Sequence, residues 1–205
     1  MRFPVEVPER AKAAYERAQT GGFGADGPSQ SSRPGTGALL AVLAASRPGA
    51  LMAELGSGLG AGTAWIASGM DGHSRLISVE VDENRASAAR HLVADDSRVE
   101  VLTGRWEDLL PPHAPFDLMF VDSGYSRQLA DGAAAAFLLD VVRVGGLLVL
   151  DDLTPELELA GDEPDPKREF ALHKPRVIGA EMYPPSLEGV VGGEQSGLLV
   201  VTRIA

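Results

Sequence analysis

From Thr36 to Asp151 the chain alternates short apolar runs with helical stretches, and few folds accept that pattern. The spacing predicts helices over 38–46, 60–69, 83–94 and 127–143, with a short one near 106–110. Between them lie strands over 50–55, 75–81, 98–102, 116–121 and 146–151. Strands that alternate with helices build βαβ units around a parallel sheet. After Asp151 the pattern changes. A polar, proline-interrupted stretch (155–175) leads to VIGAEMY and then GLLVVTRI, two strands joined by a Gly-rich turn, which marks a mixed sheet. The expected fold class is α/β, a Rossmann-like three-layer α/β/α sandwich. Its sheet is expected to have seven strands, mostly parallel, with an antiparallel C-terminal hairpin.

Ahead of this core, residues 8–20 read as a short helix with Ala11, Ala14, Tyr15 and Ala18 on one face. Residues 21–37, GGFGADGPSQSSRPGTG, read as a loop that orders over a bound ligand as a lid. One domain over 1–205 is expected: helix and lid loop to 37, core over 38–205. At 205 residues it is long enough to bury a core without staples. There is no cysteine, which excludes disulfides, thiolate nucleophiles and cysteine zinc sites. A net charge of −11 disfavours nucleic acid and anionic membranes as partners. The N-terminus has no apolar signal region, and the longest apolar run, from Ala38 to Ala45, is too short to span a bilayer, so a cytoplasmic protein is expected. A homodimer is carried as the candidate assembly.

The segment AELGSGLGAG (53–62) ends a strand on an acidic residue and then sets Gly56, Gly58, Gly60 and Gly62 before a helix. Backbone N–H groups at a helix N-terminus suit an anionic group, and ligands of doubly wound sheets bind beyond the carboxyl ends of the strands. A loose dinucleotide fingerprint is also met, and the glycines would equally permit a tight turn. Two carboxylates narrow the choice. Glu54 closes the first strand and would face a cation rather than a pyrophosphate. Glu80 closes the second, in LISVEVD, placed for ribose hydroxyls. Asp82 competes for that role but sits better as the N-cap of helix 83–94. A ribose, a positive amine and a carboxylate without phosphate describe S-adenosylmethionine.

MAELGSGLGAGTAWIA, LISVEVD, VEVLTGRWEDL, FDLMFVDSG and GGLLVLDDL follow one another in an order that resembles class I S-adenosylmethionine-dependent methyltransferases. More narrowly, residues 30–205 resemble the small O-methyltransferases related to catechol and caffeoyl-CoA O-methyltransferase. That resemblance implies that Glu54, Gly56, Ser57, Gly58, Gly60 and Thr63 surround the methionine end of the cofactor. It implies Glu80 and Val81 at the ribose, and Arg105 and Trp106 beside the adenine, with Trp106 equally readable as a core aromatic. Asp122 would complete the cofactor pocket.

Asp122 ends one strand, and Asp151 and Asp152 end the next. Neighbouring strands lie about 4.8 Å apart, so these carboxylates converge, and so many will not all ionise without a proton or a cation. Oxygen ligands suit Mg²⁺ or Ca²⁺; the alternative is aspartates that only cap loops. In the family resembled, an Asp, Asp and Asn trio holds a divalent metal against a vicinal diol. Asp152 stands where that family has asparagine, and Tyr125 where it has a lysine. Deprotonation would then rest on the metal, on a carboxylate such as Asp122, or on Tyr125. Arg127 is nearby but keeps its proton. His73, His91 and His113 have no ligand spacing. Lys167, Arg168, His173 and Lys174 are expected to form a solvated basic patch.

The expected activity is methyl transfer to a hydroxyl of a small-molecule acceptor. Aminopropyl transfer from the decarboxylated cofactor and non-catalytic cofactor binding are the rivals. A nicotinamide dehydrogenase is disfavoured by Glu54 and a lysine-poor site.

Overall fold

The computed structural model describes residues 6–22, 32–122, 129, 132–153, 165–172, 176–184 and 197–205. Its elements run α1 (Glu9–Arg17), α2 (Pro34–Ala45), β1 (Leu51–Leu55), α3 (Ala61–Gly69), β2 (Arg75–Glu80), α4 (Glu83–Leu92) and β3 (Val99–Thr103). They continue with α5 (Trp106–Leu109), β4 (Phe116–Val121), α6 (Gly132–Val141), β5 (Val142–Leu153), α7 (Pro166–Leu172), β6 (Val177–Met182) and β7 (Gly197–Arg203). A π-helical turn, Ala18–Gly22, continues α1.

The seven strands form one sheet in the order β3-β2-β1-β4-β5-β7-β6. Neighbours from β3 to β5 are parallel, whereas β7 runs antiparallel to both β5 and β6. The expected Rossmann-like sandwich with its antiparallel C-terminal pair is therefore the observed one. Strand order reverses at β1, which lies between β2 and β4, and the carboxyl ends of β1 and β4 open onto the crevice where such sheets take ligands.

Period-two alternation sorts the strands' apolar residues onto two buried faces. Met52, Leu118 and Phe120 pack on Leu40 of α2 and Ile66 of α3. Ala53, Leu55, Met119 and Val121 meet Leu138 and Leu139 of α6 and Phe170 of α7. Burial on both sides is why these strands read as continuous apolar runs. On the outside, Ala11, Ala14 and Tyr15 of α1 pack on Ala61, Ala64 and Trp65 of α3.

Three boundaries differ from expectation. Helix α2 begins at Pro34, inside the expected loop: Pro34 supplies the fixed φ of a first helical turn, and Gly37 lets the helix close on Trp65. The end of the expected helix 127–143 belongs to β5, because Val142 pairs with Phe116 and stiff β-branched side chains favour the strand. Helix α7 lies in the polar, proline-interrupted stretch 155–175, for which no element was predicted. Among the described residues no helix is long and apolar enough to cross a membrane.

Candidate active site

Glu54 is the least solvated acid at the crevice, with 1% of its surface exposed. Its register partners are Ser78 on β2 and Phe120 on β4, so it stands between them at the switch point. Oε2 accepts hydrogen bonds from Thr63 Oγ1 and Ser78 Oγ, each at 2.5 Å. Ser78 Oγ in turn lies 2.5 Å from Ser57 Oγ of the glycine loop. Oε1 is buried without a hydrogen-bond partner among the described residues. Its space exists because residue 62 is glycine: a Cβ there would come within 2.3 Å of Oε1. Burial pushes the Glu54 carboxyl up to about 7 against the pull of the two hydroxyls, and the charge of Glu80 adds to the rise. A buried acceptor left open, in a field of neighbouring carboxylates, is a place for a cationic donor.

The glycine loop leads into α3 through Gly60, whose φ of 93° is left-handed and whose absent Cβ leaves room for Leu92 and Ala89. Glu80 closes over the loop: its carboxylate accepts from Gly58 N at 2.9 Å and from Asp82 N at 3.1 Å. Asp82 caps α4 by accepting from Arg85 N, as expected. Val81 is 68% exposed beside Glu80, an apolar surface at the strand end. Trp106 lies in the core, edge-on to Phe137 with ring centroids 4.9 Å apart, which matches its reading as a core aromatic. Arg105 points outward and pairs with Glu107.

On the other side of Glu54, Asp122 N donates to Leu55 O, which holds the end of β4 against β1. Register Val121↔Leu150 sets Asp122 beside Asp151. Asp122 Oδ2 accepts from Ser32 Oγ at 2.9 Å. Ser32 is fixed in turn: its carbonyl accepts from Tyr15 Oη, which accepts from Trp65 Nε1. Burial, with the charges of Asp151 and Asp152, lifts the Asp122 carboxyl well above the carboxylate range. Asp151 is lifted to about 7 by burial and by Asp152, and is drawn back by Lys167 and Arg33.

Lys167 is 6% exposed, and its ammonium donates to the carbonyls of Asp151 at 2.5 Å and Asp152 at 2.6 Å. The basic patch expected to be solvated is thus corrected for Lys167. The left-handed backbone at Asp152 (φ 57°) breaks the β5–β7 ladder between Leu150 and Leu153, and Lys167 takes the carbonyls of that break. Burial lowers the Lys167 pKa while Asp152, Asp165, Asp151 and Asp122 oppose the fall. Arg168 is likewise engaged, with Glu181 and Tyr183. Tyr125, Arg127, His173 and Lys174 lie outside the described residues, as do 23–31 of the expected lid.

With this geometry in hand, residues 53–153 match the family of methyltransferase domains. Proteins of Mycobacterium bovis and Mycobacterium tuberculosis to which O-methyltransferase activity is ascribed by name are 32% identical over 143 residues, 67% of this chain. The chain spans 60% of the length of these curated relatives. Over residues 53–153, then, the chain is similar to methyltransferase domains. Solved structures repeat its fold. TomG of Streptomyces achromogenes, an O-methyltransferase involved in tomaymycin synthesis and solved with S-adenosylmethionine, superposes with a TM-score of 0.79 at 22% identity. The match covers 99% of this chain and 93% of that one. An O-methyltransferase of Bacillus cereus in complex with S-adenosylhomocysteine gives 0.73 at 24% identity, over 93% and 90% of the two chains.

Within residues 53–153, Glu54, Ser57 and Thr63 join one hydroxyl–carboxylate network, and Glu80 and Asp122 flank it. Thr63 is fully buried and spends its hydroxyl on Glu54. Ser78 was not singled out in the sequence, although a serine inside the apolar strand LISVEV is a polar residue that needs a partner. Nothing local marks Ser32 or Tyr15, whose roles depend on contacts 90 and 50 positions along the chain.

Proposed function

We propose that this chain transfers a methyl group from S-adenosylmethionine to a hydroxyl of a small-molecule acceptor. One observation carries the reading: Glu54 Oε1 is buried and unpartnered at the switch point of the sheet, with Glu80 on one side and Asp122 on the other. When bound, the cofactor supplies a sulfonium methyl already activated for attack. Glu54, as carboxylate, receives the ammonium of its methionine end. Glu80, at the end of the strand beside β1 and bonded to Gly58 N, would hold the ribose hydroxyls. Asp122, as carboxylate, would take the acceptor's proton, and its raised proton affinity would favour that transfer. Holding acceptor oxygen and methyl in line contributes several kcal/mol, on the order of what orientation alone supplies.

A vicinal diol held by a divalent cation through Asp122, Asp151 and Asp152 is the finer form of this reading. The donors as placed do not fit such an ion. Asp122 Oδ2 is engaged by Ser32, Asp151 Oδ1 accepts from Asp152 N, and a lysine ammonium lies on the adjoining carbonyls. Among the described residues no three acidic or histidine side chains are grouped to hold a metal ion.

Calorimetry with S-adenosylmethionine, followed by mass detection of methylated product from a panel of catechols and mono-hydroxylated aromatics, tests the proposal. Saturable cofactor binding with methylation of any panel member supports it. Absence of cofactor binding overturns it, and mass gain of an aminopropyl group from the decarboxylated cofactor would assign the chain to the rival chemistry.

A further inference from the structure

We propose that Lys167 is a resident cation of the acidic strand edge, and that this chain holds the charges of Asp122, Asp151 and Asp152 without a divalent ion. The inference rests on the reading of that edge as the site of methyl transfer.

Three carboxylates at the ends of neighbouring strands repel one another, and burial adds to the cost of ionising Asp122 and Asp151, while Asp152 is exposed. Some positive charge has to answer, and Lys167 is built into the place where it can. Its ammonium donates to two main-chain carbonyls, those of Asp151 and Asp152, at the break in β5. A lysine buried this far is costly unless hydrogen-bonded and set among opposite charges. Here the neighbouring charges are Asp152, Asp165, Asp151 and Asp122.

The position of Lys167 is fixed from several directions. Its own backbone N–H donates to Asp165 Oδ1 at 2.8 Å. Arg168, next along α7, is locked by Glu181 Oε1 at 2.7 Å and by Tyr183 Oη at 3.1 Å. Phe170 is 1% exposed and anchors α7 in the core. The chain has only three lysines, Lys12, Lys167 and Lys174, so placing one in the interior is a marked choice. With an ammonium on the carbonyls between the aspartates, a second, divalent charge would meet repulsion where it most needs ligands.

Mn²⁺ alone, without cofactor or acceptor, is the probe, titrated into the full chain and read by loss of the free-ion paramagnetic resonance signal. The wild type is expected to show no saturable binding, and Lys167→Arg the same. Lys167→Met removes the ammonium from the carbonyls beside the carboxylates and should bind Mn²⁺ more tightly than the wild type by about tenfold or more. Saturable Mn²⁺ binding by the wild type that Asp151→Asn abolishes would overturn the proposal, and that measurement stands even if Lys167→Met does not fold. A folded Lys167→Met that melts earlier yet gains no Mn²⁺ affinity would show a packing role only, and would overturn it as well. Calorimetry with S-adenosylmethionine on the same wild-type protein is independent: loss there removes the proposed function, whatever Mn²⁺ does.

Discussion

Ser32 donates its hydroxyl to Asp122 Oδ2 across 2.9 Å, joining two residues 90 positions apart at the mouth of the crevice. Through the Ser32 carbonyl the same residue accepts from Tyr15, and Tyr15 accepts from Trp65 of α3. The Tyr15 hydroxyl is pushed up to about 12 by burial, so it stays a donor across the working pH range. Chain that precedes the core is therefore tied to the end of β4 by polar contacts as well as by the apolar seam of α1 on α3.

Removing that donor should be felt away from the site. Ser32→Ala is expected to cost about 1–3 kcal/mol in urea unfolding, the scale of a buried acceptor left without its partner. Amide exchange across α1 should quicken in the same variant. Unchanged stability together with unchanged exchange would mean that Ser32 does not hold Asp122.

The role proposed for Glu54 would make cofactor binding a proton-linked event. Its carboxyl rises from 4.5 to about 7 on folding, so the native state holds a proton that the unfolded chain has released. That contribution is complete below about pH 4.5 and is lost as pH climbs through about 7, a difference on the order of 3 kcal/mol. Asp151 is raised into the same range, so the comparison is wild type against Glu54→Gln, whose stability should fall less steeply with pH. An ammonium seated on Oε1 requires the carboxylate. Cofactor binding at pH 6 should then expel a proton, measured by calorimetry in buffers of different ionisation heat, and the release should shrink in Glu54→Gln.

Glu80 offers a cleaner test of orientation. Glu80→Ala should weaken S-adenosylhomocysteine binding by about 1–3 kcal/mol, as expected for lost charge-assisted hydrogen bonds. Because Glu80 also holds Gly58 N and Asp82 N, part of that loss comes from a slacker loop, which Glu80→Gln separates by keeping one acceptor. Equal affinities in wild type and Glu80→Ala would take Glu80 out of the site.

A stability prediction comes from the crossing of α2 and α3. A Cβ on Gly69 would approach Ala41 O to 2.0 Å, and backbone cannot swing aside as a side chain can. Gly69→Ala should lower stability by about 1–3 kcal/mol, seen as an earlier melting transition. A melt no lower than the wild type's would mean that the two helices can part at little cost.

The sheet was legible because its strands are buried on both faces and therefore stand out as apolar runs, and Glu54 and Glu80 because each closes such a run before a turn. Asp82 was legible as a cap from its local spacing alone. What escaped depends on distance along the chain. Lys167 reads as one more base in a polar stretch, and only the fold brings it under β5, at carbonyls 15 and 16 residues earlier. Val142 looked helical beside an alanine run, until pairing with Phe116 of β4 claimed it. Pro34 and Gly37 looked like loop residues, although Pro34 opens α2 and Gly37 makes room there for Trp65 on another element.

The strand order sets a schedule for assembly. Strand β6 is made before β7, yet among the described residues it hydrogen-bonds to β7 and to no other strand. While a ribosome is still adding residues up to Gly197, β6 has no seat, and one edge of β5 is bare. Strand β7 closes both deficits at once, and Arg203 then fastens its end to the carbonyls of Leu139 and Val142. Strand β7 is the keystone of this half of the sheet, so a nascent chain cut short before it would leave β5 and β6 without the partner they share and invite pairing with its neighbours.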